Sequence, residues 1–109
     1  MSKRKDPVVS YTTPSNTTII DDCAALSFTD DLGSVQPIAL SADPGSIFIV
    51  KLNNNLPEVQ TLSGEFCGRI VHLLSTKLVE CLRKGHPFRA VVLNVKAHTC
   101  HVLIESAKP

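Results

Sequence analysis

The chain has 109 residues, 43% apolar and 19% charged, with a formal net charge of +1. That is the length and composition of one globular domain, long enough to bury a single core without obligatory disulfides or metals. No apolar run approaches the roughly 18–20 residues that a membrane-spanning helix needs, and the basic start Met1–Lys5 runs into Asp6-Pro7 where an export signal needs an apolar stretch. The expected compartment is therefore the cytoplasm, or the nucleus in a eukaryotic cell, with no membrane partner.

The charge is unevenly spread. Residues 1–62 carry four Lys/Arg against seven Asp/Glu, whereas residues 63–109 carry seven against three, together with all four histidines. The C-terminal half thus suits a weak polyanion surface, although solvated charge on exposed faces accounts for the same balance. The four cysteines, Cys23, Cys67, Cys81 and Cys100, lie in apolar patterns without a C-x-x-C pair. With no export signal they are expected to be reduced and buried.

Residues 1–14 form an expected flexible basic and polar tail, residues 15–106 a single domain, and residues 107–109 a frayed end. The Lys3-Arg4-Lys5 cluster is compatible with a nuclear address, a phosphate-touching arm or a plain solubilising terminus. Within Thr17–Thr29, Ala24, Leu26 and Phe28 alternate with polar or small neighbours, the period of a half-buried strand. Asp30-Asp31-Leu32-Gly33-Ser34 signals a turn, Val35–Ser41 a short edge strand containing Pro37, and Asp43-Pro44-Gly45 a tight turn. Ile47–Leu52 is the best central strand, and Asn53–Pro57 reads as the loop that ends it.

Ser63–Lys84 is the organising segment. As one helix it places Cys67, Ile70, Val71, Leu74, Leu78, Cys81 and Leu82 on one stripe. Arg83-Lys84 and Gly85 then supply a C-terminus. A second partition makes Phe66–Val71 a strand entered through Gly64, with the helix following from about residue 72 and Ser75 available as a cap. Gly68 favours the second, because an interior glycine costs a helix about 1 kcal/mol relative to alanine; the period favours the first. Phe88–Val95 and Thr99–Glu105 form a hairpin around Lys96-Ala97-His98, with Phe88, Ala90, Val92, Leu93 and Val95 facing Cys100, Val102, Leu103 and Ile104. The expected fold is α+β: five to six short, mostly antiparallel strands in a barrel-like sheet with one main helix.

Little here points to catalysis. His98-x-Cys100-His101 offers two potential metal ligands on one strand face and a third pointing away, which does not close a zinc site. Cys67 and Cys81 lie on the apolar stripe, where thiols are inert. No phosphate-binding glycine loop, nucleophile elbow or H-E-x-x-H motif occurs. No enzyme activity, metal or cofactor is expected. Arg69, His72, Lys77, Arg83, Lys84 and Arg89 are candidates for a phosphate-facing rim, with Phe66 for base stacking.

Four stretches add a family resemblance. Asp43-Pro44-Gly45-Ser46-Ile47, Gly64-Glu65-Phe66-Cys67-Gly68-Arg69-Ile70, the helical Leu74, Leu78, Cys81 and Leu82, and Phe88-Arg89-Ala90-Val91-Val92 resemble the D-x-x-A-I/V, G-x-x-h-G-x-h, following-helix and closing-strand patterns of the HIRAN family. The resemblance covers about half the chain. It implies an OB-like barrel that in some members binds single-stranded DNA ends. Ser41-Ala42 stand where DNA-gripping members carry an asparagine and an aromatic, so the barrel carries over better than the pocket. The expected function is a non-enzymatic module recognising single-stranded DNA or DNA ends through Phe66, Arg69, Lys77, Arg89 and Asp43. The alternative is a protein-interaction or assembly module, of a small phage or mobile-element type and dimeric or bound to a protein partner.

Overall fold

The computed structural model describes residues 23–107; the expectations for the N-terminal tail, for residues 17–22 and for Lys108-Pro109 lie outside it. The elements are β1 (Ser27–Asp31), α1 (Pro37–Leu40), β2 (Ile47–Asn53), β3 (Leu56–Gln60), β4 (Phe66–Arg69), α2 (Ser75–Arg83), β5 (Phe88–Lys96) and β6 (Thr99–Ser106). All strands pair antiparallel in one six-stranded sheet ordered β1-β6-β5-β2-β3-β4. The sheet curls until its two ends meet. Beyond β1, Gly33 donates to the Arg69 carbonyl at 2.8 Å and accepts from the Arg69 amide at 2.7 Å, forming one antiparallel bridge to β4. The α+β, barrel-like architecture expected from the sequence is therefore present.

The period of two sorts the sheet into two faces. Phe28 and Leu32, Phe48 and Val50, Val59, Phe88, Ala90 and Val92, and Cys100, Val102 and Ile104 are buried on the inner face, which α1 and α2 help to cover. Ser27, Thr29, Asp31, Ile49, Lys51, Gln60, Arg89, Val91, His101, Leu103 and Glu105 line the outer face at exposed or half-buried positions.

The disputed segment takes the second partition: Phe66–Arg69 is a strand, and the helix begins at Ser75. Pairing with β3 and with Gly33 overrides the helical period, so Val71 and Leu74 are exposed instead of joining the buried stripe. The Ser75 hydroxyl donates to the carbonyl of His72 at 2.6 Å, fixing the turn that enters α2. At its other end, Gly85 at φ +88° donates to Leu82 and His86 donates to Cys81, the paired bonds of a Schellman motif.

Several local expectations are corrected. Val35–Ser41 is not an edge strand: Pro37 starts the four-residue α1, where its fixed φ fits the first helical position. Leu56-Pro57 are not loop residues but the start of β3. Only Asn54-Asn55 turn, both at positive φ (52° and 66°), as a type I′ hairpin requires. Pro57 is tolerated because its carbonyl, not its absent N–H, meets the Ile70 amide at the end of the ladder. Asp30 and Asp31 belong to β1 and not to the turn that follows. Leu93, expected inside, is exposed at a bulge.

The cysteine expectation is corrected in half. Cys23 and Cys81 form a disulfide, with Cα atoms 5.6 Å apart, that ties the segment before β1 to α2. Cys67 and Cys100 are free and buried. Loss of hydration on burial pushes the Cys67 thiol up to about 11, with Cys100 and Glu65 adding smaller contributions; burial raises Cys100 likewise. Both are correspondingly poor nucleophiles. Among the described residues no helix is long and apolar enough to cross a membrane.

Candidate nucleic-acid interface

A spacing of three places Phe66 and Arg69 on opposite faces of a regular strand. In β4 they share one. Phe66 pairs with Gln60 and Gly68 with Val59, so Cys67 is an extra residue, a bulge that restores Arg69 to the outer face opposite Glu58. The Arg69 guanidinium lies 5.9 Å from the centroid of the Phe66 ring, within cation–π range. Arg69 is exposed and Phe66 half-buried, with the guanidinium set over one face of the ring at the rim of the barrel.

Beside this pair sits Glu58, 4% exposed and the one charged residue buried among those described. It accepts hydrogen bonds from Gln60 Nε2 at 3.0 Å and Asn53 Nδ2 at 3.4 Å, and in register it lies between Lys51 and Arg69. Each of its carboxylate oxygens thus has a neighbouring donor.

The other sequence-predicted site residues do not converge on this pair. Arg89 shares the outer face but lies on β5, three strands from β4, and its Nε and Nη2 bind Glu105 Oε2 at 2.8 and 2.7 Å. Lys77 is on α2, against the opposite face of the sheet. Asp43 is exposed in the turn before β2, where its carbonyl accepts the Ser46 amide and Gly45 takes φ +93°. Of the wider rim, His72 stacks on Phe28 at 4.5 Å and accepts the Leu74 amide on Nδ1.

A second outer-face cluster is invisible in the sequence. Asp31, Asn94, Lys96, Thr99 and His101 surround a polar hollow of about 300 Å³, and Asp31 Oδ1 lies 2.8 Å from His101 Nδ1. In sequence Asn94, Lys96, Thr99 and His101 are polar residues of a hairpin and Asp31 belongs to a remote turn signal, and nothing there marks the bulge and the β1–β6 pairing that gather them. Within the described residues no group of three His, Cys, Asp or Glu is placed to hold a metal. A larger, mostly apolar groove of about 530 Å³ opens where β2 runs past the end of β5. Ile47, Ile49, Leu52, Leu82, Phe88 and Ala107 are among its walls.

These features define a small antiparallel α+β barrel with a cation–aromatic pair on its open face. The chain matches no protein-family model, no curated protein and no solved structure.

Proposed function

We propose that this protein is a non-enzymatic, HIRAN-like module that recognises single-stranded DNA or a DNA end. The observation that carries the reading is the bulge at Cys67, which sets Phe66 and Arg69 together on the outer face. Bulges re-aim side chains at functional edges, and an aromatic ring with a planar guanidinium over it offers two stacking planes for a base of any identity together with a cation for its phosphate. The basic balance of residues 63–109 supports the same partner.

Titration of a fluorescein-labelled oligothymidine should give binding that weakens linearly with the logarithm of salt concentration. Arg69→Ala should flatten that slope by about one, and Phe66→Ala should cost about 1–3 kcal/mol. Binding without salt dependence, or none, removes the proposal.

One observation favours a second reading, a protein-interaction module. The groove beside β2 exposes Ile47 to 51% and is walled chiefly by apolar side chains. Sedimentation showing a stable dimer that no oligonucleotide dissociates would favour it over the first.

A further inference from the structure

We propose that the hollow formed by Asn94, Lys96, Thr99 and His101 seats one phosphate group of the strand whose base stacks on Phe66, an inference that rests on the single-strand reading of the Phe66–Arg69 pair. The sheet carries two irregularities besides its turns, and both have the same effect. In β5, Val92 pairs with Val102 but Asn94 pairs with His101, so Leu93 is an extra residue. A regular ladder would turn Asn94 toward the core and Val95 toward solvent. The bulge does the reverse, packing Val95 against the core and setting Asn94 and Lys96 beside His101 and Thr99 on the outer face. It leaves Leu93 42% exposed, so its product is the polar outer row and not additional burial by the inserted residue.

The chemistry of that row suits an anion with several acceptor oxygens. Directly opposed side chains on a sheet lie about 5 Å apart and diagonal ones about 7–8 Å, a span that one phosphate bridges. Lys96 supplies an ammonium, Thr99 a hydroxyl and Asn94 an amide. The acid of the hollow, Asp31, is already engaged by His101 Nδ1 at 2.8 Å. His101, in register with Asn94, completes the wall of the hollow.

The seat is also within reach of the stacking pair. Going from β4 around to β6, only the continuation of β1 intervenes: Gly33 bonds to Arg69, and the Leu32 amide bonds to the Cys100 carbonyl at 3.1 Å. Two strand spacings, roughly 10 Å, separate Arg69 from β6.

The test pairs two titrations on the full chain: inorganic phosphate followed by amide NMR shifts, and oligothymidine followed by fluorescence. Phosphate should move the Asn94, Lys96, Thr99 and His101 signals saturably. Lys96→Ala, at an exposed position in the hairpin, should weaken that response at least tenfold and reduce the salt slope for oligothymidine by about one, whereas Phe66→Ala should leave the phosphate response intact. Oligothymidine binding with no phosphate response, or with no effect of Lys96→Ala, overturns the seat and spares the strand reading. A phosphate response that Lys96→Ala weakens, with no oligothymidine binding, overturns the assignment to a nucleic-acid strand and leaves a bare phosphate site.

Discussion

Gly68 has no room for a side chain. A Cβ placed there would lie 2.9 Å from the Cβ of Leu32 and 3.1 Å from the Gly33 carbonyl oxygen, atoms of the segment that carries β1 around to β4. Gly68→Ala should therefore destabilise the fold by about 1–3 kcal/mol, because neighbouring backbone must shift to admit the methyl group. A lower midpoint of urea unfolding followed by circular dichroism is the expected result, and an unchanged midpoint would contradict so tight a contact. The glycine pair of Gly64-Glu65-Phe66-Cys67-Gly68 is legible in the sequence as a pattern, and each member serves the backbone differently. Gly64 sits at φ +96°, while Gly68 admits Leu32. The service of Gly68 is hidden in the sequence because Leu32 is remote along the chain. The pairing of Phe66 with Arg69 is hidden for a related reason. Strand alternation separates them, and only the bulge, a property of the β3–β4 register, reunites them.

At the scale of elements, α2 shows what periodicity can and cannot locate. Its end is readable from Arg83-Lys84-Gly85, and the structure places Gly85 in the left-handed conformation that the closing turn requires. Gly85→Ala should cost about 1 kcal/mol by forcing a Cβ into that conformation. Thermal unfolding should register the loss, and an alanine variant as stable as the parent would show that the turn relaxes elsewhere. The beginning of α2 is not readable, since Cys67–Val71 continues the same apolar period while the backbone is held extended by β3 and Gly33. Short elements are the least legible. Four residues of α1 contain no full helical repeat beyond one turn, so Pro37 carries the only signal and suits an edge strand equally well. In β3, Pro57 disguises a strand whose ladder happens not to need its N–H.

For the molecule as a whole, the Cys23–Cys81 disulfide is the longest covalent constraint, joining residues 58 apart in sequence. Restriction of the unfolded chain by a loop of that size is worth about 4 kcal/mol on the chain-entropy model. Cys81→Ser should accordingly lower unfolding stability by about 2–5 kcal/mol in denaturant. Alkylation of the unreduced, denatured chain should modify two cysteines, Cys67 and Cys100, against four after reduction; four modified without reductant would disprove the bond. Spacing carries no hint of this pairing, because the partners meet only once the barrel brings the segment before β1 against α2. The bond leaves the meeting of Gly33 and Arg69 unprotected, since neither β4 nor Gly33 is fastened by it. The barrel consequently closes at a seam with a single bridge, Gly33 to Arg69, flanked by the Gln36–Cys67 and Asp30–Val71 hydrogen bonds and set between the stacking pair and the polar hollow, while β5 and β6 are zipped along eight residue pairs. Opening that seam breaks the two Gly33–Arg69 bonds, the bond from the Gln36 amide to the Cys67 carbonyl and the bond from the Val71 amide to Asp30 Oδ2, and leaves the β5–β6 ladder standing, a breathing motion of low free energy compared with global unfolding. The amides of Gly33 and Arg69 should exchange with deuterium well before those of Val92 and Val102, and a ligand bridging the two sides should slow them selectively, turning a structural weak point into a reporter of occupancy.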